Sequence, residues 1–173
     1  QLITILSQNE YDLIQLESLF LTPYVQTIRK YSKAKIVMRS HNVEYKIWER
    51  LAIQSKNPIK KAYLNLLTQR LKKYEIAHLN DYDIMVPISK TDEALLKTLG
   101  CTIPIYTQTF GIKIDTYQHL PEHALNQPLK LYHLGAMDWL PNLESVQWLL
   151  DKIMPQLAVS HPDVTLYLAG RNM

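Results

Sequence analysis

The chain of 173 residues has little glycine and almost no cysteine. Its 4 Gly are too few for a glycine-rich phosphate loop to go unseen. Its single cysteine, Cys101, excludes an internal disulfide framework and fits a reducing compartment. No apolar run approaches the roughly 18 residues that a membrane span needs. No Cys/His cluster has metal-ligand spacing, and no Ser-His-Asp arrangement stands out. There is no internal repeat. The excess of positive charge is small, at +3, and by itself does not call for nucleic acid.

What is present is ordinary globular composition, 47% hydrophobic and 20% charged. Apolar strand-like runs alternate with helical patterns. Strands are expected at Asp12–Glu17, around Ile36–Met38, at Asp83–Ile88, Ile103–Thr107, Leu129–Leu134 and Val164–Ala169. Between them lie a loop over Leu19–Tyr24 and a helix over Tyr24–Tyr31 with Val25, Ile28 and Tyr31 inward. Further helices are expected from Val43 to about Gln54, from Pro58 to about Leu79, over Thr91–Leu99, and from Asn142 to about Val159. The long helix from Pro58 places Ile59, Tyr63, Leu66, Leu67, Leu71 and Tyr74 on one stripe. The last helix is expected to bury Val146, Leu149, Leu150 and Ile153 and to end or kink at Pro155. Alternation of this kind predicts an α/β fold with parallel, Rossmann-like sheets and helices on both faces. Residues 113–128 are polar and proline-flanked and read as an interdomain linker. Residues 1–112 then form most of one domain, and 129–173 the first β-α-β of a second. The opening QLITIL sits inside a pattern, and the end follows a strand directly. The expectation is a piece of a longer protein, incomplete at both ends.

The stretch that organises the rest is KIVMRSHNVE, Lys35 to Glu44. A buried strand breaks into Arg39, Ser40, His41 and Asn42, then into a helix carrying Val43, Ile47 and Leu51, with Trp48 as a core residue. Asn42 is the expected N-cap. In open α/β sheets ligands bind at the carboxyl ends of strands, so His41 is the first candidate. Arg39 either contacts an anion through its planar fork or pairs with Glu17 or Glu44. Glu44 lies where the helix dipole favours a carboxylate. Ser89 follows a strand and is suited to capping the next helix, with a cleft role open. Gly111, after Phe110, is expected to serve a positive φ or a close approach of backbone to ligand. Gly135 ends a later strand, and Asn142 is expected to cap the following helix, whose N-terminus offers free N–H groups to phosphate. Trp139 either stacks on a base or sugar or covers the sheet edge. Arg171 follows Gly170 at the end of the last expected strand. The cations of the long helix, Lys60, Lys61, Arg70, Lys72 and Lys73, read as a solvated face, with attachment to anionic lipid as the rival. Nucleic-acid binding is poorly supported, because stacking aromatics are not interleaved with them.

Taken in order, YDLIQLESLF, RSHNVEYKIWERLA, PISKTDEALLKTLGC, TFGIKID, LGAMDWLPN and LYLAGRNM resemble the retaining glycosyltransferases of family 4, with the two-domain GT-B fold. The resemblance covers essentially the whole chain and is to a bacterial subgroup that builds capsular, exo- or O-antigen polysaccharide. It implies a cytoplasmic enzyme, peripheral on the inner face of the plasma membrane in one reading. Such an enzyme moves a sugar from a nucleotide sugar to a glycan or lipid-linked acceptor, with retention and without a metal or other cofactor. It implies that His41 lies near the transferred sugar, with Arg39, Asn42, Glu44, Ser89 and Gly111 on the acceptor side. Gly135, Asp138, Trp139, Asn142, Gly170 and Arg171 would be on the donor side. The sequence departs from the family where a Gly-Arg pair and a nearby Lys are usual: it reads Gly135-Ala136-Met137-Asp138. The family's glycine-rich loop would lie before Gln1 and its donor-gripping Glu motif beyond Met173, so the fragment alone is expected to be inactive. A GT-B nucleotide-sugar epimerase and a non-catalytic binding module are the alternatives.

Overall fold

The computed structural model describes residues 1–116 and 128–173. Two compact units make up the chain, Gln1–Ile112 and Lys113–Met173. Most of the expected linker, 117–127, lies outside the described residues.

The first unit is built on three parallel strands in the order β1 (Leu13–Leu16), β2 (Lys35–Ser40), β3 (Ile84–Pro87). The register pairs Ile14 with Ile36 and Met38 with Met85. Side chains alternate between faces along a strand. Ile36 and Met38 on one face and Val37 on the other are all buried, so β2 is covered on both sides. This is why its apolar run is continuous rather than alternating. Burying a side chain such as Ile36 stabilises by about 1.5–3 kcal/mol. The strand runs two residues further than its apolar run, because Arg39 and Ser40 remain paired with Val86 and Pro87. The expected strand at Ile103–Thr107 is only an extended segment. It meets β3 at one bridge, Met85–Ile105, and Pro104 lacks the N–H that a longer ladder would use.

Helix α1 is Leu2–Gln8, and α2 is Val25–Tyr31. The expected loop before α2 is instead a 3₁₀ turn, Leu19–Tyr24, started by Ser18 accepting from the N–H of Phe20. Val25 and Ile28 face inward as expected, but Tyr31 is exposed, since the helix ends there. At the amino ends of β2 and β3, Asp83 accepts from the N–H of Ile36 at 2.7 Å and pairs with Arg29 at 2.7 Å. Burial pushes its carboxyl up, but these donors outweigh burial and hold it below the usual range.

α3 (Glu44–Gln54) and α4 (Pro58–Ala77) form a hairpin. Asn57 caps α4, accepting from the N–H groups of Ile59 and Lys60, with Pro58 in the first turn. The expected inward stripe of α4 is met only in part: Leu67, Leu71 and Tyr74 are half-buried, but its first three members face away. Ile59, Tyr63 and Leu66 are 81%, 60% and 57% exposed. The buried seam is Leu64, Thr68 and Glu75, with Leu71 packed against the core. At 100° per residue these two stripes lie on opposite faces of the helix. On α3 the buried residues are Tyr45 and Ala52, while Ile47 and Leu51 are only partly covered. α5 (Lys90–Thr98) follows β3 and ends at Gly100, whose φ of +102° suits a residue without Cβ.

The second unit pairs β4 (Lys130–Leu134) with β5 (Thr165–Ala169) in parallel. Between them α6 (Leu140–Trp148) runs through a π turn, Leu149–Ile153, into α7 (Met154–Ser160). Pro155 has no N–H for the ladder and its ring crowds the carbonyl four residues back. The wider turn just before it accommodates both, so the helix neither ends nor breaks. Val146 is the buried hydrophobic residue of this unit; Leu150, expected inward, is 45% exposed.

Candidate functional site

Each candidate of the first unit stands at the carboxyl edge of its parallel sheet. Glu17 follows β1, His41 follows β2, Ser89 follows β3, and Phe110 closes the segment beside β3. The parallel register alone gathers these four ends. His41 Nε2 lies 2.9 Å from Glu17 Oε2, and the His41 ring stacks on Phe110 at 6.1 Å and 18°. The Arg39 guanidinium lies 5.3 Å from the centre of the same ring. The amide of Gln15, then His41, hold the Glu17 carboxyl below its usual range. An ionised carboxylate only accepts, so it takes the hydrogen of Nε2–H and fixes that tautomer. When the ring carries a single hydrogen, Nδ1 is then an acceptor, on a side chain one-third exposed.

Of the two sequence readings of Arg39, the ion pair with Glu17 or Glu44 is not formed. Among the described residues it forms no ion pair, and its buried Nε has no partner. Glu44 begins α3, and burial pushes its carboxyl up. Asn42 is not the cap of that helix. The N-cap residue is Val43, whose side chain has no acceptor. The acceptor comes from α4: Glu75 takes the N–H of Glu44 at 3.1 Å and of Tyr45 at 3.2 Å. Asn42 is exposed, and its carbonyl accepts from the Ser40 hydroxyl at 2.8 Å. Ser89 caps α5, accepting from the N–H of Asp92 at 3.1 Å. Gly111 does not serve a positive φ, and a Cβ there would meet no other protein atom. Glu93 accepts from Lys90 and Lys97 on its own helix and from the Thr107 hydroxyl, which ties α5 to the segment beside β3; these donors pull its carboxyl down to about 2.

In the second unit the strand ends meet at two glycines. A Cβ on Gly170 would lie 2.0 Å from the Gly135 carbonyl oxygen, and the Gly170 φ is +146°. No other residue type fits there. Met137 N–H donates to the Arg171 carbonyl at 2.9 Å. Arg171 pairs with Asp138 at 2.6 Å, on a side chain 74% exposed. Asn142 does not cap α6. It sits inside the first turn, which begins after Trp139, and its amide donates to the Ala136 carbonyl at 3.0 Å. Trp139 is half-exposed. His133 Nε2, buried without a partner, would lie 3.0 Å from a Cβ on Gly135.

Three participants were not singled out from the sequence. Glu17 had a usable signal, since the strand-end rule that selects His41 applies equally to the residue after β1. Phe110 was placed only as a strand end. Glu75 had no signal at all: a glutamate in mid-helix is ordinary, and only the α3–α4 packing makes it a cap.

A depression of about 1260 Å³ is open and lies at the other end of the sheet, lined among others by Asp12, Arg29 and Lys33. It gathers chain turns and solvated charges rather than oriented groups, and the strand-end cluster is the better site. No described group of three or more His, Cys, Asp or Glu is placed to hold a metal. No protein-family model matches the chain, and no curated protein matches it significantly.

Proposed function

We propose that the chain is part of a glycosyltransferase that draws on a nucleotide sugar, in a two-domain GT-B arrangement, for assembly of surface polysaccharide. The reading is supported by the sequence resemblance. The observation that carries it is the imidazole of His41, held by Glu17 and Phe110 at the carboxyl edge of a parallel sheet. In this reading Nδ1 accepts a hydrogen bond from a sugar hydroxyl and keeps the ring in one orientation through the reaction. Arg39, with an unused donor, attracts an anionic group of the acceptor. On the donor side the Gly135–Gly170 approach keeps two chains close enough for backbone N–H groups to face a diphosphate. Arg171 leaves Asp138 to neutralise the departing charge. Catalysis would be positioning and electrostatics, with an oxocarbenium-like sugar.

One observation favours a second reading. Arg171 is the cation best placed for a diphosphate, and it is ion-paired with Asp138. A non-catalytic module that recognises glycan without turnover would have no use for a free cation there.

The test is donor binding, hydrolysis and transfer across UDP-, GDP- and dTDP-sugars by the longest polypeptide that carries this chain. The expected result is one preferred donor, with turnover reduced at least about 100-fold by His41→Ala while donor binding persists. A folded protein that binds no donor would refute the transferase and favour the module.

A further inference from the structure

His133 lies beside the donor-side turn and has no part in the chemistry proposed there. The β4 ladder continues to Gly135, whose N–H donates to the Ala169 carbonyl at 2.9 Å. Side chains alternate along such a ladder, so His133 and Gly135 share a face. The Nε2 atom of His133 would lie 3.0 Å from a Cβ on Gly135, and the Asn142 amide 3.1 Å from the same point. A side chain at 135 would crowd both. That Nε2 is shielded from solvent and has no hydrogen-bond partner among the described residues. A buried polar atom left alone costs stability and calls for an account. Next to it, the N–H groups of Ala136 and Asp138 donate to no described acceptor, whereas that of Met137 is used by the Arg171 carbonyl.

The surroundings offer no surplus cation. Asp138 neutralises Arg171 at 2.6 Å. Lys130, at the start of β4, is about 16 Å from Gly135 at the rise of a strand. Glu144, on α6, is acidic. Tyr132 and its register partner Tyr167 lie on the opposite face from His133. A diphosphate held by the Ala136 and Asp138 N–H groups therefore meets net positive charge only if His133 supplies it.

We propose, resting on the donor-side reading of this turn, that His133 is the buried counter-charge of the donor diphosphate. The neutral imidazole takes a proton from solvent as the diphosphate binds over Gly135, and returns it when the diphosphate leaves. Imidazole is the side chain whose charge changes near neutral pH. An anion within a few ångströms favours the charged ring, and exclusion of water strengthens the attraction. Linkage makes the effect reciprocal: the proton tightens the anion as much as the anion tightens the proton. The His133 contribution to binding is then largest below neutrality and fades as pH rises.

The probe is inorganic pyrophosphate titrated into the whole chain, with inorganic phosphate beside it. The His133 ring is followed by its ¹⁵N shifts, identified as the signals that His133→Gln removes. At a pH where the free ring is neutral, saturating pyrophosphate is expected to move it to the imidazolium pattern. Between about pH 6 and 9, His133→Gln should weaken pyrophosphate binding at least about fivefold at the acid end and less than about twofold at the alkaline end. Pyrophosphate itself titrates in this range, but equally for both proteins, so their ratio is the readout. His133→Phe, also uncharged, should match His133→Gln; if either variant misfolds, the wild-type ring signal decides alone. No pyrophosphate binding, a ring unmoved at saturation, or equal weakening at both ends of the pH range would overturn the proposal. An equal response to phosphate would assign the site to a single phosphoryl group and overturn its diphosphate character. Any of these results with sugar transfer intact in the longest polypeptide refutes the role of His133 alone. Proton uptake on pyrophosphate, without donor binding by that polypeptide, keeps the anion site and refutes the transferase.

Discussion

Replacing Glu75 by alanine tests how the candidate site is held. α3 starts three residues after His41 and has no cap of its own; Glu75 supplies both acceptors from a position only 3% exposed. Removing the carboxylate leaves two buried N–H groups without partners, at about 1–3 kcal/mol each if water does not reach them. Loss of a helix cap alone costs about 1 kcal/mol. Some relaxation is certain, so Glu75→Ala should destabilise by about 3 kcal/mol. Glu75→Gln keeps one acceptor and turns an amide N–H₂ toward the second donor; about 1–2 kcal/mol is expected. The two variants also differ in pH dependence. Burial pushes the Glu75 carboxyl up, against the lowering by its two backbone donors. A carboxyl that titrates higher in the folded chain binds more protons there. Its contribution is fully present below the unfolded pKa and declines as pH rises through the folded one. The gap between wild type and Glu75→Gln should therefore be widest in acid and narrow toward neutral pH. The assay is denaturant unfolding followed by Trp48, which lies on α3, with Trp139 and Trp148 changed to Phe. A Glu75→Ala variant within about 0.5 kcal/mol of wild type would refute the capping argument.

Gly170→Ala should disrupt the β4–β5 end, because its Cβ meets the Gly135 carbonyl at 2.0 Å; amide exchange across β4 and β5 should rise at least about tenfold, and an unchanged pattern would contradict the contact. Asp83→Asn should destabilise by about 1 kcal/mol at neutral pH, after allowing for the exposure of Arg29. Because its donors hold the Asp83 carboxyl below the usual range, the stability difference should fade as pH drops through the folded pKa, and a constant difference would contradict this. Glu17→Ala should release the His41 tautomer, seen as a redistribution of the ring ¹⁵N shifts away from the Nε2–H form; unchanged shifts would mean that Glu17 does not orient the ring.

Much of the first unit was readable because its central strand, β2, is buried on both faces. Ile36-Val37-Met38 has no polar interruption, and a strand of that kind declares itself. Punctuation was equally direct: Asn57-Pro58 starts α4 and Gly100 ends α5, since each residue type has a specific backbone use. α4 was harder. Its first apolar residues at regular spacing, Ile59, Tyr63 and Leu66, face solvent, and the buried seam includes the polar Thr68 and Glu75. Periodicity reports that a face is apolar, not what covers it. Leu150 in the second unit makes the same point, for it is exposed.

The sequence by itself determined the alternation of strands and helices, the parallel sheets that follow from it, and the placing of His41 at a strand end. Those depend on local periodicity and on chain neighbours. The tertiary structure alone decided that Glu17 and Phe110 hold His41, that Glu75 caps α3, and that Arg171 meets Asp138. Each of these joins groups far apart in sequence, and it is the parallel register and the helix packing that bring them within hydrogen-bonding distance.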